Sequence, residues 1–262
     1  IDHTTADHPA LELLMTIDEE SGMTGALSMP SDFVSGRRLL NLDSEEDGTL
    51  YVGCAGGGNS ELKLTLRRDA SLKGFKAFTA RVTGLRGGHS GLNIHENRAN
   101  AIKLLVRVLR DASAKMSLRL GAIDAGNKHN AIPREATAVV YVPTRKDAEF
   151  RKLVQGWAKV LKDEFSGVEP DLRLELASPP AARPKPITAA AAGRALDLLA
   201  ALPHGVLGMS QAIPGLVETS NNLAVVATED RALRIGTSSR SSVGPTLQAL
   251  RASVAAAGRL AG

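Results

Sequence analysis

Leu62-Lys63-Leu64-Thr65-Leu66-Arg67 and Phe78-Thr79-Ala80-Arg81-Val82-Thr83 alternate apolar and polar side chains residue by residue. That period places every second side chain on one face, so each stretch reads as a half-buried strand of an antiparallel sheet with one wet side. Working outward, Ile102, Leu105, Val106 and Leu109 take up helical spacing and predict a helix over about Asn97–Ala112. Strands follow at Met116–Ile123 and Ala136–Val142. A second helix spans Lys146–Phe165, with Phe150, Leu153, Val154, Trp157 and Leu161 on one face and Gly167 as its expected C-cap, and Leu172, Leu174 and Leu176 mark another strand. The order β-α-β-β-α-β is the split βαβ, ferredoxin-like arrangement. The prolines of Ser178–Pro186 make a stiff surface linker. Beyond it, a helix at Thr188–Leu202, strands at Gly205–Met209, Val217–Ala227 and Ala232–Thr237, and a closing helix at Val243–Leu260 read as an enlargement of the same two-layer sheet.

Upstream the pattern differs. Leu11, Leu13, Leu14, Met15 and Ile17 form a nearly continuous apolar run, as in a strand buried on both faces of a parallel sheet, and it ends in Asp18-Glu19-Glu20. Leu39, Leu40 and Leu42 lead likewise to Asp43, and Thr49–Cys54 reads as a third strand. Carboxylates at neighbouring strand ends repel unless a cation or a proton offsets them, so a metal is one answer and a solvated acidic turn the other. The glycines of Ala55–Ser60 lack the Lys-Ser/Thr of a phosphate loop and read as a turn or hinge.

The basic and acidic residues, 32 and 28, are scattered along the 262-residue chain and leave a net charge of +4 without a basic block. Nucleic-acid binding is not indicated. No apolar run is long enough to span a bilayer, and no signal-peptide core follows the start. The single cysteine, Cys54, excludes an internal disulfide and suits a reducing compartment, hence a cytoplasmic location. A chain that starts at Ile1, close to an expected buried strand, reads as an internal piece of a longer protein.

Five segments carry a resemblance: Thr16–Ala26, Leu42–Gly57, Gly84–Gly91 (Gly-Leu-Arg-Gly-Gly-His-Ser-Gly), Asn130–Ala136 (Asn-Ala-Ile-Pro-Arg-Glu-Ala) and Gly215–Asn222. In this order they resemble the aminoacyl-histidine dipeptidase family, within the dinuclear-zinc superfamily of carnosinases, aminoacylases and carboxypeptidase G. The resemblance implies that Glu19 is the general base, that Glu20 and Asp43 each ligate one of two zinc ions (cobalt or manganese being possible substitutes), and that His89 is a lid histidine stabilising an oxyanion in a partner subunit. It further implies that Asn130 and Arg240 hold the carboxyl-terminal end of the substrate.

The family's upstream His-x-Asp, its bridging Asp and its downstream metal-binding His have no match among the six histidines of this chain. The expectation is therefore a fragment of a mainly parallel α/β catalytic domain, residues 1–57, followed by an α/β-sandwich lid and dimerisation domain, residues 58–262. The full-length enzyme is expected to be a cytoplasmic homodimer that hydrolyses dipeptides of Xaa-His type, the segment alone being inactive. Aminoacylase or carboxypeptidase chemistry on the same scaffold, and a non-catalytic dimerisation module, are the alternatives.

Overall fold

The computed structural model describes residues 8–19, 23–41, 48–51, 53–69 and 71–262. The chain divides into two compact units, Ile1–Val52 and Gly53–Gly262.

In the second unit, strands β1 (Gly56–Thr65), β2 (Phe75–Thr83), β4 (Arg119–Ala125), β6 (Ala136–Pro143), β7 (Arg173–Ala177), β8 (Gly205–Met209), β9 (Val217–Thr228) and β10 (Ala232–Ser241) form one eight-stranded sheet. Its order is β1-β10-β9-β4-β6-β2-β7, with β8 pairing β9, and every pairing is antiparallel. The run β7-β2-β6-β4 is the expected ferredoxin-like sheet, and β9, β10 and β1 extend it. A separate ribbon pairs β3 (Gly88–His89) with β5 (Ala131–Ile132).

Helices α2 (Ala101–Lys115), α3 (Asp147–Glu164), α4 (Ala189–Ala201) and α5 (Gly244–Ala261) pack against the sheet. The alternation that predicted the strands is the reason: Leu64, Phe78, Ala80 and Val82 enter one core with Ile102, Leu105, Leu109, Phe150, Leu161, Leu199 and Ile235. Ala77, Val139 and Tyr141 form a smaller cluster apart from it. Asn100 caps α2, its side chain accepting the N–H groups of Ile102 and Lys103 while its amide donates to the Leu223 carbonyl at 2.8 Å. Lys103 in turn donates to the carbonyls of Leu199, Ala200 and Leu202, a cation at the electronegative end of α4. Two readings are corrected. Gly56–Gly58 belong to β1, paired with Ser241, Arg240 and Ser239, rather than to a turn or hinge. Helix α3 closes at Phe165, whose N–H reaches the carbonyl of Leu161, so Gly167 is not its cap.

The first unit departs further from expectation. Its described residues hold one helical turn, α1 (Thr24–Leu27), and no strand. Leu11, Leu13, Met15, Ile17, Leu39, Leu40 and Leu50 are exposed, so the buried parallel strands expected at 11–17, 39–42 and 49–54 are not formed among the described residues. The reason is physical. A strand of that composition needs strands on both sides and helices on both faces before its side chains leave water, and the described residues of this unit supply one turn of helix. What order it has is polar: the Glu12 carboxylate accepts the backbone N–H groups of Ser35 and Gly36 and the Ser35 hydroxyl, which holds it below the usual carboxylate range.

Candidate lid site around His89 and Arg240

The Gly84–Gly91 motif becomes a loop with a defined internal framework. Gly87 and Gly88 have φ of 65° and 137°, conformations that disfavour other residues and let the chain turn into β3. The Asn93 side chain accepts the His89 N–H at 2.9 Å and donates to Glu96, and Glu96 binds Arg98, whose guanidinium reaches the Gly87 carbonyl at 2.6 Å. Hydrogen bonds from Asn93 and Arg98 hold the Glu96 carboxyl below its ordinary range. A closed polar circuit thereby fixes the backbone that carries His89.

The imidazole is half-buried and its tautomer is set by the same loop. Nδ1 accepts the N–H groups of Gly91 and Leu92, each at 3.2 Å, so the ring proton sits on Nε2, which has no partner among the described residues. Burial, and next the charge of Arg240, push the His89 pKa below that of an ordinary histidine. At neutral pH His89 is thus an uncharged donor through Nε2.

Arg240 lies on β10, opposite Ser220 of β9 and Gly57 of β1. Its guanidinium and the His89 ring flank Gly91: a Cβ on that glycine would lie 3.3 Å from Arg240 Cζ and 3.1 Å from His89 Cε1. Arg240 makes no ion pair among the described residues, and its Nε is buried without a hydrogen-bond partner. A guanidinium held in this way is short of an acceptor, and a bidentate carboxylate is the group that matches its geometry.

Asn130 reaches the same neighbourhood through its backbone. Its carbonyl accepts the Ser90 N–H at 2.8 Å, next to the β3-β5 pair of His89 with Ala131, and its side-chain amide has no partner among the described residues. A cavity of about 710 Å³ opens here, with His89, Asn130, Arg86, Arg134 and Asp124 in its walls. His89 therefore borders two of the residues nominated from separate segments: Asn130, in the wall of this cavity, and Arg240, which meets it across Gly91 and is not part of that wall. The other three nominations do not join them in the description: Glu19 is exposed in a turn of the first unit, and Glu20 and Asp43 lie outside the described residues. Among the described residues no three His, Cys, Asp or Glu side chains come together as a metal seat, so the residues that can be seen do not make one.

Sequence reasoning missed Asn222 and Glu169. Asn222 on β9 donates to the carbonyls of His129 and Ala131, on either side of Asn130, while its Oδ1 is buried and unpartnered. Glu169, fully buried, accepts two backbone N–H groups. A signal existed for the first of these. Thr219–Asn222 and Thr237–Ser241 are polar runs continuing apolar strands, and all but the half-buried Arg240 are buried, an arrangement that costs free energy unless each group is satisfied.

Residues 70–169 match the peptidase dimerisation domain. Over 229 residues the chain is 40% identical to the cytosol non-specific dipeptidase of Escherichia coli (strain K12), covering 87% of this chain and 47% of that protein. The crystal structure of aminoacylhistidine dipeptidase from Vibrio alginolyticus superposes with a TM-score of 0.83 at 36% identity, covering 94% of this chain and 50% of that one. The chain spans about half the length of these relatives. Residues 70–169 thus match the peptidase dimerisation domain, and the chain is similar over most of its own length to about half of each of these two dipeptidases.

Proposed function

We propose that the protein containing this chain hydrolyses the peptide bond of dipeptides, those ending in histidine among them, and that residues 58–262 are its lid. The observation that carries the reading is the pair on either side of Gly91: a neutral imidazole with its tautomer fixed and Nε2–H free, next to a guanidinium lacking an acceptor. In this reading Arg240 forks onto the substrate's terminal carboxylate, the Asn130 amide donates to the same end, and His89 Nε2–H donates to the carbonyl oxygen as it gains negative charge. A neutral donor held in place before the reaction stabilises that charge without reorganising, and removing one such donor costs about 10²–10³ in kcat.

Glu19 as general base and Glu20 and Asp43 as ligands of a pair of zinc ions, with cobalt or manganese as substitutes, complete the proposal on the strength of the sequence resemblance. So do a cytoplasmic location and a homodimer built through the dimerisation domain, in which His89 serves the partner's site. No helix among the described residues is long and apolar enough to cross a membrane.

The test is a comparison of dipeptides such as β-alanyl-histidine with N-acyl amino acids as substrates of the whole protein, for the wild type and Arg240→Gln. Turnover of dipeptides with KM raised at least tenfold by the substitution is the expected result. Turnover of N-acyl amino acids alone would move the assignment to aminoacylase chemistry, and no turnover of either would leave a dimerisation module.

A further inference from the structure

His89 is delivered by a loop that leaves β2 at Thr83 and returns to α2 at Ala101, and both roots of that loop end on one buried side chain. Glu169 is 0% exposed, yet it has no cationic partner among the described residues. Its Oε2 accepts the N–H of Arg86 at 2.8 Å and its Oε1 accepts the N–H of Ala99 at 3.0 Å. Arg86 precedes the glycines that turn the chain into His89, and Ala99 directly precedes the cap of α2. A carboxylate is the side chain suited to this position, because each of its oxygens can accept and two charge-assisted bonds offset part of the cost of burying it.

At its tip the loop is tied to β5, Gly88 and His89 pairing with Ile132 and Ala131 and the Ser90 N–H bonding the Asn130 carbonyl, whereas Glu169 is the side chain that joins its two roots. The Asn93, Glu96 and Arg98 circuit ties the loop to itself, and Gly87 and Gly88 are backbone joints without side chains to resist rotation. Close packing pins the same corner: a Cβ on Gly84 would sit 2.0 Å from the carbonyl oxygen of Asp171, so the turn after α3 lies directly on the start of the loop. Glu169 belongs to that turn, its N–H bonded to the Phe165 carbonyl and its own carbonyl accepting from Leu172.

We propose that Glu169 is the positioning residue of His89: it closes the base of the loop with one carboxylate, and thereby sets where Nε2–H points. The proposal rests on the reading of His89 given above and extends it to a residue that never touches substrate.

The test uses the whole protein with Glu169→Gln, and with Glu169→Asp as a second variant that keeps the charge but withdraws it by one methylene. Backbone amide exchange at Arg86 and Ala99, the His89 titration followed by NMR, and dipeptide kinetics are measured together. Expected are a tenfold or greater rise in exchange at Arg86 and Ala99, a His89 pKa moved up toward the ordinary histidine value as the ring loses its cover, and a kcat lowered about 10–100-fold with KM changed less than threefold. Unchanged exchange, or faster exchange with His89 titration and kcat as in the wild type, overturns the proposal. Should the wild type hydrolyse no dipeptide, the reading of the site fails separately, and the exchange and titration arms still decide whether Glu169 positions His89.

Discussion

His89 and Arg240 face each other across Gly91 with room for a hydrogen and for nothing larger: a methyl on that glycine would sit 3.1 Å from the imidazole and 3.3 Å from the guanidinium. Gly91→Ala must therefore displace one or both side chains by a few tenths of an ångström. We expect about a 10–100-fold loss of kcat/KM with thermal stability little changed, because the end of a long, half-buried arginine side chain can yield while the alignment cannot. Steady-state kinetics and a melting curve of the same sample check both halves.

The charge of Arg240 also has a titration consequence. It lowers the His89 pKa together with burial, which is the larger cause, so removing the charge with Arg240→Gln must raise that pKa while leaving it below the ordinary value. If His89 acts as a neutral donor, the acid limb of kcat against pH moves upward in this variant. A limb that stays in place or moves down would dissociate His89 from the acid limb.

His204 gives the fold its own acid sensitivity. It is half-buried beside Asn100, whose amide lies 3.2 Å from Nδ1, and the desolvation of its ring, with Lys103 nearby, lowers its pKa to about 4. The folded state thus holds the neutral ring while the unfolded chain protonates near 6.5. Stability is unaffected above that value and falls as pH drops from about 6.5 to about 4, by about 3 kcal/mol in all. Urea melts at pH 7 and pH 4.5 should show the loss, and His204→Gln should remove most of it.

Asn222→Ala leaves the carbonyls of His129 and Ala131 without their donor. A destabilisation of about 1–3 kcal/mol is expected from the unpaired groups, together with a KM raised more than kcat is lowered, since the proposed function has Asn130 donate to the substrate's terminal end. Chemical denaturation and steady-state kinetics give the two numbers.

The second unit was legible in the sequence because each of its elements carries its own period. Leu62–Leu66 and Phe78–Val82 alternate, Ile102–Leu109 and Phe150–Leu161 step at helical spacing, and the β-α-β-β-α-β order follows without knowledge of any contact. His89 and Asn130 were legible through short motifs and Arg240 through the family resemblance; the pairing of β3 with β5 brings Ala131, next to Asn130, to His89, and Arg240 meets His89 across Gly91. Leu11–Ile17 was misread because a continuous apolar run reports a wish for burial and says nothing of the neighbours that must provide it. Glu169 was invisible for the converse reason: it acts through main-chain groups distant in sequence, and a hydrogen bond to a backbone amide leaves no pattern in side-chain types, whereas Asn222 announced itself only as part of the polar run Thr219–Asn222 and its carbonyl partners did not.

The glycines of β1 acquire a different meaning once they are seen as strand. Gly57 lies directly opposite Arg240, and the nearest atom to a side chain added there would be the Ser239 carbonyl oxygen at 3.8 Å. Opposed positions on paired strands ordinarily shade one another, and here the awning has been left off. Bare peptide forms the sill of the guanidinium's window, so a bulky residue at position 57 would curtain Arg240 while disturbing none of the bonds that hold it.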